Sequence, residues 1–228
     1  MALSPKPRSL VEVGRSLRSV LDWHALRTFY LAQTDWLASR RAGRSVQFGA
    51  PVPWWAYSCT DFLDQVLPTD AHVLELGTGG STLWWLSRGN SVTAVESSKE
   101  WAERTRADAG DAAARLTLVH ANPDDSEVLQ ELLQGQKFDV IVVDHSGDRS
   151  KAVRLLKDHV ADDGVLILDN ADRPEYSDGL RELESAGFTC LGFTGLTPIN
   201  AFAGVTTVAF KAGVRIRGRR VTFVTVDN

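Results

Sequence analysis

The stretch Val73-Leu74-Glu75-Leu76-Gly77-Thr78-Gly79-Gly80-Ser81-Thr82 carries more information about the fold than any other part of the chain. It passes from a short apolar run into a cluster of glycines and then into a helix start. Glycine turns tightly without steric cost and lets a ligand come close to the backbone. A helix beginning at such a turn exposes its first N–H groups, which favour an anionic group. Nineteen residues after Gly77, a second apolar run ends at Glu96. A carboxylate in that place can accept hydrogen bonds from both ribose hydroxyls of an adenosine. Strand, glycine turn and distant acid together are far more specific than the glycines alone.

Working outward, short apolar runs alternate with helical patterns from Ala71 onward, the rhythm of βαβ units. Strands are expected at His72–Leu76, Ser91–Val95, Leu116–His120, Phe138–Val143 and Val165–Leu168. Between them, Leu83, Trp84 and Leu86, then Val128, Leu129, Leu132 and Leu133, then Ala152, Leu155, Leu156 and Val160 recur at helical spacing. After a helix around Glu182 come two further strands, Phe188–Phe193 and Val205–Phe210, separated by only 11 residues. So short a connection predicts an antiparallel pair. The expected fold is α/β, a doubly wound, seven-stranded, mostly parallel sheet.

Ahead of it, residues 1–45 hold eight basic residues (Lys6, Arg8, Arg15, Arg18, Arg27, Arg40, Arg41, Arg44) against three acidic ones, a local +5 that leaves −9 for the remainder of a chain of net charge −4. Leu10, Val13, Leu17, Val20 and Leu21, then Leu26 and Phe29, predict one or two amphipathic helices. Residues 1–50 are therefore read as a helical extension, a lid or a homodimer contact, and 51–228 as the main domain. The acidic whole argues against nucleic acid as partner and for a small molecule. Arg15, Arg18 and Asp22 interrupt what a signal peptide would need, and no segment is long enough to span a membrane. The two cysteines, Cys59 and Cys190, fit buried thiols in a reducing cytoplasm.

In open α/β sheets the ligand lies beyond the carboxyl ends of the strands. The polar residues following the fourth and fifth strands are Asp144-His145 and Asp169-Asn170. Their oxygens can converge on a hard cation such as Mg²⁺, which would lower a hydroxyl's pKa. Equally, Asp144 can cap the next helix or pair with Arg149, and Asp169 and Asn170 can be turn residues. Arg173 either pairs with Asp148 or clamps an anionic substrate. His145 is either a proton acceptor or a packing residue. Trp54 and Trp55 can wall the pocket or fill the core.

Glu75-Leu76-Gly77-Thr78-Gly79-Gly80 resembles the first motif of the class I S-adenosylmethionine-dependent methyltransferases, over about residues 50–211. Dinucleotide enzymes usually place the third glycine three residues after the second, whereas here it follows directly. By this resemblance Glu75, Gly77, Thr78, Gly79, Ser81 and Glu96 hold the cofactor, with Trp54 the aromatic candidate for a wall over it, and Asn122 either lies near the adenine or is a turn residue before Pro123. Val143 to Arg149 and Leu168-Asp169-Asn170 look like the catechol O-methyltransferase group. That implies Asp144, Asp169 and Asn170 as magnesium ligands, with Asp144 and His145 against the cofactor. Gly147 stands where that group has a catalytic lysine, and Thr197-Pro198-Ile199-Asn200 where it has a further acid, so a catechol is not implied. Gly79 to Thr82 and Asp169 to Arg173 also resemble uncharacterised bacterial small-molecule methyltransferases. The expected activity is O-methylation of a small-molecule hydroxyl (sugar, phenol or natural-product intermediate), with Asp144, His145 and Arg173 as catalytic candidates. The competing expectations are an NAD-dependent oxidoreductase and a catalytically silent nucleotide-binding protein.

Overall fold

The computed structural model describes residues 10–211; Lys6 and Arg8 of the basic segment, and residues 212–228 of the expected main domain, lie outside the described residues. Helix α1 (Leu10–Ala25) continues through a π-helical turn (Leu26–Tyr30) into α2 (Leu31–Thr34) and α3 (Trp36–Ala42). Asp35, at a left-handed φ of 53°, separates α2 from α3. Every residue from Arg18 to Phe29 is exposed. A small hairpin follows, β1 (Val46–Gln47) and β2 (Ala50–Pro51), which the periodicity does not announce. Its two-residue turn, Phe48-Gly49, has positive φ at both positions, as tight hairpins favour.

The main body runs α4 (Tyr57–Val66), β3 (His72–Leu76), α5 (Gly80–Ser87), β4 (Ser91–Glu96), α6 (Lys99–Ala109), β5 (Leu116–His120), α7 (Ser126–Leu133), β6 (Phe138–Val143), α8 (Arg149–Leu156), β7 (Val160–Asp169), α9 (Ser177–Ser185), β8 (Phe188–Leu196) and β9 (Ala203–Lys211). The seven-stranded sheet has the order β5-β4-β3-β6-β7-β9-β8. Strands β3 to β7 are parallel, and β9 runs antiparallel between β7 and β8. Both faces are apolar. Leu74, Leu76, Ile141, Val143, Leu166 and Leu168 feed one core, while Val73, Val140, Val142, Val165 and Ile167 feed the other with Trp55 and Trp85. Burial on alternate sides is why these strands read as continuous apolar runs.

Three strand boundaries differ from the sequence reading by two residues or more. Strand β7 begins at Val160, not Val165, because Val160 pairs with Phe138 and an irregularity before Val165↔Val140 accommodates the exposed Asp162 and Asp163. Strands β8 and β9 stay paired as far as Leu196↔Ala203, leaving a loop of residues 197–202. The strand order reverses between β3 and β6, so their carboxyl ends open the crevice in which ligands of such sheets bind.

Candidate active site

At the crevice, Gly77 has φ +90°, and a Cβ there would lie 2.5 Å from the carbonyl oxygen of Asp144. Only glycine lets the two strand ends close this tightly. Beneath the turn, the Gly79 amide donates to Thr82 Oγ1 (3.0 Å), and that hydroxyl donates to Glu75 Oε2 (2.6 Å). Glu75 is 1% exposed, and burial pushes its carboxyl up to about 8, against the hydroxyls of Ser81 and Thr82. It braces the turn from below. From the side, Glu96 Oε2 accepts from the amide and hydroxyl of Thr78 (2.9 and 3.0 Å), and Oε1 from the Ser98 amide (2.7 Å). The acid read from sequence as a ribose acceptor is thus also a strut between the ends of β3 and β4.

Two cavities meet at these strand ends. One is lined by Thr78, Gly79 and Ser81 together with Arg44, Trp101 and Arg104, and the other by Asp169, Asn170, Arg173, Thr197, Asn200 and Phe202. Trp54 and Asp144 line both. The adjacent Trp55 is fully buried, and its indole N–H donates to Asp144 Oδ2 at 3.2 Å. One tryptophan of the pair therefore faces the cavities while the other holds an acid that does. The wall also includes the extension. Trp36 Nε1 donates to the Asn200 carbonyl (2.6 Å) and Arg40 to the Ile199 carbonyl (3.0 Å), so α3 holds the loop 197–202. Arg44, Arg104 and this use of α3 carry no sequence signal, because the approach depends on how the hairpin folds back.

Arg149, the first residue of α8, lies between the two aspartates. Its Nη2 meets Asp144 Oδ1 at 2.9 Å, and its Nη1 donates to the Asp169 carbonyl oxygen at 2.6 Å. Burial raises both carboxyls; Asp169 reaches about 7, with Asp144 nearby adding to the rise and the Thr206 hydroxyl and Arg149 opposing it. Asp144 does not cap α8, which Asp148 does through the Lys151 amide. Asp144, Asp169 and Asn170 border one cavity, with Asp169 Oδ2 standing 4.0 Å from Arg149 Nη1, outside hydrogen-bond reach. Two carboxylates and an amide oxygen on one cavity suit a magnesium ion that completes its shell with water and substrate. Among the described residues, no three His, Cys, Asp or Glu side chains come together in a way that could hold a metal, so this set depends on the amide of Asn170.

His145 is 4% exposed and borders neither cavity; its Nε2 lies 3.1 Å from Asp124 Oδ1, and burial lowers its pKa. The structure does not bring it to the acceptor side. Asp124, which the sequence reading passed over, also accepts from the Asp148 amide (3.1 Å), and its carbonyl from Lys151 Nζ (2.7 Å). A side chain at Gly147 would meet the Asp124 carboxylate and have to displace it. Asn122 is exposed, its Oδ1 accepting from the Asp124 amide (3.0 Å) as in an Asx turn. The Arg173 side chain borders the second cavity, and no ion pair joins it to Asp148 among the described residues.

Residues 74–171 match the model of a methyltransferase domain. No curated protein matches the chain. Among solved structures, the O-methyltransferase from Bacillus cereus in complex with S-adenosylhomocysteine is 17% identical, with 83% of this chain and 96% of that one covered at a TM-score of 0.55. A putative O-methyltransferase from Klebsiella pneumoniae is 19% identical over 84% of this chain and 96% of that one, at a TM-score of 0.54. The O-methyltransferase TomG from Streptomyces achromogenes, involved in tomaymycin synthesis and in complex with S-adenosylmethionine, is 19% identical over 64% of this chain and 75% of that one, at a TM-score of 0.52. At such identities the likeness is one of fold, and the expected seven-stranded methyltransferase sheet is the fold found.

Proposed function

We propose that this S-adenosylmethionine-dependent methyltransferase methylates a hydroxyl oxygen of a small molecule that also carries an anionic group. The observation that carries the reading is the sharing of Trp54 and Asp144 by two cavities, one at the glycine turn and one at the ends of β6 and β7. The first suits the cofactor: Thr78, Gly79 and Ser81, which line it beside Gly77, take its methionine end, Glu96 behind Thr78 takes its ribose, and the adenine extends beyond the cavity toward Asn122 and His145. The second suits the acceptor, whose anionic group the exposed Arg173 attracts and whose hydroxyl faces the carboxylates. The hydroxyl oxygen attacks the methyl carbon, the carbon–sulfur bond breaks, and the thioether S-adenosylhomocysteine leaves. Asp144 and Asp169 are the bases at hand for the proton. Holding the reactants in line can supply on the order of 7 to 11 kcal/mol of the barrier. Asp144, Asp169 and Asn170 would hold Mg²⁺, which when bound lowers the hydroxyl's pKa and orients it.

The partner is small rather than a nucleic acid, a view supported by the acidic character of the chain outside residues 1–45. The basic extension is a homodimer contact. Val20, Leu21, Trp23 and Phe29 are each at least 64% exposed, and the net positive charge of residues 1–45 complements the acidic remainder of a second copy.

The test is isothermal titration of wild type and Glu96→Ala with S-adenosylhomocysteine, followed by an acceptor screen weighted to hydroxylated acids. Binding to wild type that weakens at least tenfold in the folded variant supports the reading. A folded wild type that ignores this ligand but binds NAD overturns it.

A further inference from the structure

One guanidinium lies between two acids from neighbouring strands, the half-buried Asp144 and the buried Asp169. The Arg149 side chain is 7% exposed, and every nitrogen it carries is engaged. Nε donates to the His145 carbonyl at 2.8 Å, Nη1 to the Asp169 carbonyl at 2.6 Å, and Nη2 reaches Asp144 Oδ1 at 2.9 Å. The ring of Tyr176 lies against the group, 5.1 Å from the guanidinium carbon. A cation this far from water is retained only where anions and oriented carbonyls compensate it. The anion in contact is Asp144, the Asp169 carboxylate stands 4.0 Å away, and both residues border the acceptor cavity together with Asn170. An arriving divalent ion would have to share both carboxylates with a positive charge already present.

We propose that Arg149 is the resident counter-cation of the Asp144–Asp169 pair: it fixes Asp144 through an ion pair and Asp169 through its backbone carbonyl, in position for the acceptor without a metal, and its charge keeps the divalent-cation affinity of the site low. Arg149 is a positioning residue, since it acts on the acceptor through the two aspartates. The proposal rests on the reading of Asp144, Asp169 and Asn170 as the ligands a cation would use.

The experiment follows Mn²⁺ binding to the full chain by the electron paramagnetic resonance signal of the free ion, for wild type, Arg149→Met, Arg149→Lys and the double variant Arg149→Met with Asp169→Asn. Mn²⁺ should bind Arg149→Met at least tenfold more tightly than wild type, Arg149→Lys should remain near wild type, and the double variant should lose the gain. A residue that only packed the strand ends would act in the opposite direction, because its loss would splay the carboxylates and weaken binding. Equal or weaker Mn²⁺ binding in a folded Arg149→Met, or no saturable binding in any variant, overturns the proposal. If circular dichroism shows that Arg149→Met does not fold, Arg149→Gln carries the same expectation, since it removes the charge and keeps a donor. Titration of the same samples with S-adenosylhomocysteine reports the cofactor reading separately, so the two can fail independently.

Discussion

The indole of Trp55 donates to Asp144 Oδ2 at 3.2 Å, a bond between residues 89 apart in sequence that ties the segment before α4 to the end of β6. Trp55 is fully buried, so Trp55→Phe removes the donor and keeps most of the packing. A hydrogen bond to a charged group is worth about 1.5–3 kcal/mol. The variant should lose stability of that order in urea denaturation, and turnover should fall more than cofactor affinity, because Asp144 stands between the cavities.

Glu75 gives a pH dependence whose sign follows from its raised pKa. The unfolded carboxyl ionises near 4.5, whereas the folded protein retains the proton up to about 8. Wild type therefore loses stability from this group as the pH rises through that window. Glu75→Gln cannot ionise and escapes the loss. Denaturant unfolding at pH 5 and pH 8.5 should show the variant gaining on wild type toward the higher pH; a constant difference would mean that Glu75 is charged in the folded protein.

Gly147 leaves room for the Asp124 carboxylate that holds His145. Gly147→Ala should destabilise by roughly 1–3 kcal/mol through overpacking, and Gly147→Lys by more. Thermal unfolding measures both. A Gly147→Lys protein as stable as wild type would show that Asp124 gives way freely.

Arg173 should govern the acceptor and leave the cofactor untouched. With an anionic acceptor, Arg173→Gln should raise KM roughly tenfold or more, the scale of one charge-assisted contact, with S-adenosylhomocysteine affinity unchanged. An unchanged KM would separate Arg173 from substrate recognition.

The exposed helix predicts self-association. Light scattering after size exclusion should find wild type dimeric and the double variant Leu21→Glu, Trp23→Glu monomeric, since buried carboxylates would replace two apolar anchors. A wild-type monomer at tens of micromolar would remove the dimer.

The order of strands and crossovers was legible because alternation of apolar runs and helical periods is a local property. So was the place of the turn, since Gly77 to Gly80 break one period and begin another. The antiparallel finish at β8 and β9 followed from a connection too short for a crossover. What became of the polar residues at the strand ends was not local. Asp144 is half of an ion pair because α8 sets Arg149 beside it, and His145 turns from the acceptor cavity because Asp124, on another strand's loop, offers it an anion. The extension split in two for the same kind of reason. Amphipathicity marked it as helical throughout, but α3 meets the loop 197–202 while the stretch Arg18 to Phe29 stands exposed. Hydrophobic period and turn chemistry depend on near neighbours and are written along the chain, whereas the partner of a buried charge depends on which distant groups the packed sheet brings within about 3 Å of it.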